Sequence, residues 1–284
     1  MDEYVNQIKN YLPIYFQAPE NENYIQYLID TYLENLDKAK YQFSFIAFHL
    51  LFMVYVYKAN WFQKNPKPQS LFDLSVINEK TLLQSLKNYN FHDNQISDFC
   101  ELVNKRNHCA HASGLIQYGQ EKIERFIKDE LEIINQVHEK LISSCNKLLI
   151  KFFHDNWNEE TRPYSGAQES TDAFIRENLL SVKDLELLID LPLDELNQKP
   201  TSERIIYIKT LYLVFNFEAQ NYLGLEENLF IKKLPILTDG FRDQNKIKMR
   251  DIVFNNFTHI ITQLSDTEQK EFNKLVRIDI QKVL

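Results

Sequence analysis

Residues 43–57 read FSFIAFHLLFMVYVY, a run with no polar stripe at either helical or strand period. A helix that is apolar on every side has to be covered on every side, by lipid or by other helices. The run spans only 15 residues, contains His49 and ends at Lys58. A bilayer crossing asks for about 20 apolar residues. The run is therefore expected to be the buried core helix of a bundle, or a helix at a dimer interface, rather than a membrane span. His49, alone among these apolar residues, reads as a core histidine with a satisfied partner.

The surrounding sequence favours the same class. Five glycines and eight prolines punctuate 284 residues, well under half of the roughly 12% that these two residues supply together in average proteins. Sheets need turns often and this chain rarely offers them, so an all-α fold is expected. Apolar spacing predicts a helix through Tyr4, Val5, Ile8, Tyr11 and Leu12 that stops near Pro13, and then one helix or a pair over 23–62. Asn65-Pro66-Lys67-Pro68 breaks the chain. A helix is expected over Leu71–Tyr89, another over His92–Ala112 with Ile96, Phe99, Val103 and Ala110 as its stripe, and a long one over Gln120–Phe153. Ser113-Gly114 offers a left-handed cap to the second of these. The polar segment NWNEETRPYSG, 156–166, is the best candidate boundary. It divides a helical bundle over 1–155 from a second helical region over 156–284, which begins with a helix over Thr171–Leu188.

The formal charge of −8 excludes a generic basic coat for nucleic acid, so any such ligand would have to meet a local patch. Cys100, Cys109 and Cys145 form no CxxC pair and no even framework, and the N-terminus Met1-Asp2-Glu3 lacks the features of a secretory signal. Both observations lead to the expectation of a reducing, cytoplasmic setting.

Chemistry concentrates in residues 106–111, Arg-Asn-His-Cys-Ala-His. A guanidinium grips phosphate through a planar fork, and an imidazole moves protons near neutral pH. Those two groups suffice for RNA cleavage without a metal: His111 takes the 2′-hydroxyl proton or protonates the leaving oxygen, and Arg106 offsets charge on the phosphate. Asn107 and His111 are four residues apart and share a helix face, with His108 close by as possible support. Arg106 and His111 are five apart, about 140° around a regular helix, so a straight helix separates them. They meet if the last turn distorts, or if a second copy related by a two-fold axis supplies the missing half.

The pattern of an arginine followed by a polar residue, four spacers in all and a histidine at a helix end, within an all-α bundle, resembles the motif of the HEPN superfamily. Arg106, Asn107 and His111 match it, and Ala110 before the histidine is also similar. The resemblance covers roughly residues 20–155 in layout and about six residues in detail. It implies a homodimer of helical bundles with a composite, metal-independent endoribonuclease site and no cofactor. Members often serve as toxins or anti-phage effectors, so an inhibitory or sensor protein partner is also implied. Many members carry a further acidic residue on an earlier helix, and Phe43–Tyr57 contains none.

Other readings of the same residues stay open. Arg106 and His111 could simply offset the helix dipole at a C-terminus. His108 and His111, with Cys109 or Cys100, have no second ligand pair at zinc spacing. Cys109 lacks the flanking signature of a cysteine hydrolase. Lys105, Lys122 and Arg125 could form a local strip for RNA, although Lys122, Arg125 and Lys128 alternate with Glu121, Glu124 and Asp129 as on a solvated face. Phosphate loops, dinucleotide fingerprints, HExxH and GxSxG are absent from the sequence. The sequence thus leads to an endoribonuclease of this type, with a non-catalytic all-α adaptor or partner-binding protein as the rival.

Overall fold

The computed structural model describes residues 2–16, 18–64, 67–111, 118–156 and 173–184, and among these there is no strand. The described chain is all-α. Six helices follow in order: α1 Asp2–Lys9, α2 Pro19–Asp37, α3 Tyr41–Gln63, α4 Glu79–Ser85, α5 Asp93–Ala110 and α6 Gln120–Asn156. The chain divides into two compact units, 1–148 together with 174–184, and 149–173 together with 185–284. The first carries nearly all the described residues. Phe174–Asp184, which the sequence boundary places in the second region, belongs to the first unit.

The apolar run becomes α3, and the bundle is built around it. α1, α2, α4 and α5 all pack against it. Phe45, Phe48, Leu51, Phe52, Met53, Val54, Tyr55 and Val56 are buried, and only a narrow edge is open, where Phe43 is exposed and Ile46 and Leu50 are half-buried. α3 is long and apolar enough to cross a membrane, but most of its apolar surface is covered by its own neighbours. Burying one such side chain contributes about 1.5–3 kcal/mol, which makes α3 the main source of cohesion. α3 continues past the apolar run to Gln63, close to the expected end at 62, and Lys58 is fully buried within it.

Local chemistry sets the helix boundaries. Pro19 opens α2 with Glu20 and Glu22 in its first turn, where acidic groups meet the positive end of the helix. The stretch 23–62 resolves into a pair of helices because Ala39, at φ 53°, turns the chain between α2 and α3. The single helix expected over Leu71–Tyr89 is in fact three pieces: a 3₁₀ segment Leu71–Val76, α4, and a second 3₁₀ segment Leu86–Tyr89. Asn78 marks the first interruption, its side chain accepting the Lys80 N–H, while Ser70 caps the start of the first piece by accepting the Phe72 N–H. Asn90, at φ 61°, ends the third piece. α5 starts after His92, whose N–H donates to Gln95 Oε1 at 3.0 Å.

The helix expected over Thr171–Leu188 is broken within its described part. Residues 173–177 are helical, Leu179 turns at φ 51°, and a new turn starts at 182. Asp184 forces the restart: its Oδ2 accepts the Ser181 N–H and hydroxyl, each at 2.7 Å, while Ser181 Oγ accepts the Asp184 N–H at 3.2 Å. The same carboxylate receives the buried Lys58 ammonium, which also donates to the Tyr11 carbonyl at 3.1 Å. Together with Ile14 N–H to the Leu180 carbonyl at 2.8 Å and Lys183 N–H to the Asn10 carbonyl at 2.9 Å, this pins the segment to the end of the bundle.

Candidate functional site

α5 carries the Arg106–His111 motif. Ile96, Phe99, Leu102, Val103 and Cys109 form its buried stripe, and Arg106 falls on the same side, four residues after Leu102 and three before Cys109. Ala110 is exposed and Cys109 takes its place in the stripe, because 109 follows 102 by seven residues, two helical turns. α5 stays regular to Ala110. His111 caps it, its N–H donating to the Asn107 carbonyl at 2.8 Å, and its side chain is exposed. Arg106 turns inward towards α4 while His111 and His108 face solvent. Within one chain the structure does not bring Arg106 and His111 together. Asn107 lies half-buried between them.

Arg106 ends in a cluster that spans four helices. Its Nη2 donates to Glu79 Oε2 at the start of α4. The same oxygen lies 3.7 Å from Nε2 of His49 on α3. On the other side of the ring, Nδ1 bonds Oε1 of Glu130 on α6. His49 and Glu130 are fully buried, whereas the Glu79 and Arg106 side chains are 20% and 22% exposed. The order is therefore Glu130, His49, Glu79, Arg106, from the interior to the edge of the bundle. Phe45 and Phe52 flank the imidazole, with ring centroids at 6.0 and 5.7 Å.

The charges follow from these neighbours. Burial by itself would lower the pKa of His49, but the Glu130 carboxylate, with help from Glu79, outweighs it and raises the imidazole to about 9. Burial pushes the Glu130 carboxyl upward, against the pull of His49. Glu79 would also rise on burial, yet the neighbouring His49 and the hydrogen bond from Arg106 hold it down at about 2. Tyr57 feels the same centre: burial, then the Glu79 charge, push its hydroxyl up to about 12.

The remaining residues singled out in the sequence divide between paired and exposed. Lys105 donates to Asp129 Oδ2 at 2.9 Å and lies over the Phe126 ring at 5.0 Å. Lys122 is exposed and lies 4.5 Å over the Tyr118 ring, and Arg125 is exposed on α6. The Cys109 thiol is buried, and burial followed by Glu130 raises it to about 11, which keeps it protonated and poorly nucleophilic at neutral pH. Among the described residues no group of three or more His, Cys, Asp or Glu has metal-binding geometry. The cap expected at Ser113-Gly114 lies outside the described residues.

Three members of the cluster are not apparent in the motif. His49 has its expected partner, but as half of a buried ionic pair. Glu79 belongs to a short helix whose start depends on the turn before it. Glu130 sits amid the charged residues of α6, although it falls on the apolar stripe of Phe126, Ile127, Leu131 and Ile134. An ionisable residue on an apolar stripe was the available signal, present on α3 and α6 alike. Compared with family models, curated proteins and solved structures, the chain matches none.

Proposed function

We propose that the protein is a metal-independent endoribonuclease of HEPN type that acts as a homodimer. Arg106 binds the scissile phosphate, Asn107 supports it, and His111 transfers the proton. The observation that carries this reading is the division of labour at the end of α5. Arg106 is held by Glu79 with its guanidinium partly open, and His111 is exposed five residues further on. With the two side chains on different faces of a regular helix, a complete site takes Arg106 from one protomer and His111 from its partner. An unrestrained ribonuclease harms its own cell, so a cytoplasmic role as a toxin or anti-phage effector goes with an inhibitory or sensor partner.

Purified wild type is expected to cleave RNA in EDTA and leave 2′,3′-cyclic phosphate ends, and His111→Ala is expected not to. Equal cleavage by both proteins would overturn the assignment. A second reading, a non-catalytic all-α adaptor, has one observation in its favour: Arg106 already has a carboxylate partner within its own chain. A folded, monomeric wild type that cleaves no RNA would support that reading.

A further inference from the structure

We propose that His49 and Glu130 are positioning residues for Arg106: the imidazole, held from behind by Glu130, takes a share of the Glu79 carboxylate and so limits how tightly Glu79 binds the guanidinium. The inference deepens the ribonuclease reading and rests on it for its catalytic meaning.

The geometry makes the two cations competitors. Glu79 Oε2 is both the acceptor from Arg106 and the atom facing His49 Nε2 at 3.7 Å. A carboxylate shared by two cations satisfies each less completely than it would satisfy one. Glu130 decides whether the imidazole competes at all, since a fully buried histidine without a counter-charge would lose its proton. The groups that face the imidazole or set its charge are known from each side: Glu79 from α4, Arg106 from α5 through Glu79, and Glu130 from α6, with Lys105 and Asp129 acting on Glu130. Tyr57 on α3 faces the Glu79 end.

Three buried atoms of the cluster make no hydrogen bond: His49 Nε2, Glu130 Oε2 and Arg106 Nε. A core built for stability alone would not be expected to leave them so, because a buried ion pair is often no better than apolar residues of the same volume. Their retention fits a cluster that tunes one outward-facing group. A phosphate oxygen arriving at the open edge meets a guanidinium that is oriented by Glu79 but not neutralised by it.

The test measures the availability of Arg106 directly, on the full-length protein at pH 7.5, by phenylglyoxal labelling and mass spectrometry, with exposed Arg125 as internal reference. His49→Gln is expected to slow labelling of Arg106 about threefold to tenfold relative to Arg125, as Glu79 closes on its remaining partner. Glu130→Gln is expected to slow it equally, and the double variant no further, because both act through one imidazole. Glu79→Gln placed in the His49→Gln background is expected to restore fast labelling. Should a variant fail to fold, the wild type alone decides: the ratio of Arg106 to Arg125 labelling falls as pH rises through about 9, where His49 loses its proton. Unchanged labelling in folded His49→Gln, or a ratio flat with pH, would overturn the proposal. Because labelling needs no RNA, a wild type that labels as expected and cleaves nothing would refute the ribonuclease reading while leaving the charge sharing intact.

Discussion

His49 and Glu130, 81 residues apart in the chain, share a hydrogen bond in the centre of the bundle, and neither reaches solvent. The pair ties α3 to α6 at the level where α4 and α5 also converge. Its energetics are asymmetric: together the two groups compensate each other's desolvation, and separately each is an unpaired buried polar group or charge.

Removing one member should therefore cost far more than removing both. Either single change, His49→Leu or Glu130→Met, is expected to destabilise the first unit by about 3–5 kcal/mol. The double variant His49→Leu/Glu130→Met should recover most of that loss. Urea unfolding of the four proteins in a double-mutant cycle measures the coupling. Additive losses would show that the pair acts as two independent packing groups.

Stability should depend on pH at both ends of the range. His49 rises from 6.5 to about 9 on folding, so its contribution is full below pH 6.5 and is lost as pH climbs through about 9. Glu79 falls from 4.5 to about 2, so its contribution is full above pH 4.5 and is lost as pH drops towards 2. Between pH 4.5 and 6.5 both are present. Thermal unfolding from pH 3 to 10 is expected to show this plateau, and His49→Gln should flatten the alkaline limb. A wild-type alkaline limb that persists unchanged in the variant would assign it to another group.

Lys58 and Asp184 make a separate prediction. Lys58→Met leaves the fully buried Asp184 with Ser181, and with His138 at 3.7 Å, but without its ammonium partner, a loss on the order of 3–5 kcal/mol. The penalty is relieved if the segment 174–184 detaches. Tryptic cleavage after Arg176 and Lys183 is expected to become fast in the variant and to remain slow in the wild type. Equal cleavage rates would mean that the backbone bonds to Asn10 and Ile14 hold the segment without the ion pair.

At Ala39 the backbone sits at φ 53° on an exposed turn, where a Cβ is unfavourable and glycine is not. Ala39→Gly is expected to stabilise the α2–α3 connection by about 0.5–1 kcal/mol, the strain relieved being partly offset by the greater freedom of an unfolded glycine. A shift of the denaturation midpoint to lower urea would count against this account.

Much of the fold was legible because local rules govern it. The absence of any polar stripe over 43–57 called for a covered helix, and α3 is covered except along the edge of Phe43, Ile46 and Leu50. The apolar periods of α1, α5 and α6 placed those helices within a few residues. The structure departs from that reading where one side chain or one dihedral redirects the backbone: Asn78 interrupts the span 71–89, and Leu179 with Asp184 breaks the helix expected after 171, while Ala39 makes 23–62 the pair that the spacing left open.

The candidate site was legible only in part, and the reason is geometric. The periodicity of a helix determines which residues share its face, so the divergence of Arg106 and His111 on α5 and the burial of most of α3 could be read from the chain. Periodicity carries no information about which charge on another helix will stand opposite. Glu79 meets Arg106, Glu130 meets His49 and Asp184 meets Lys58 across separations of 27, 81 and 126 residues. Those pairings follow from how the helices pack, since in a desolvated interior a charge persists only beside a partner. The tertiary structure alone decided which carboxylate each buried cation would have.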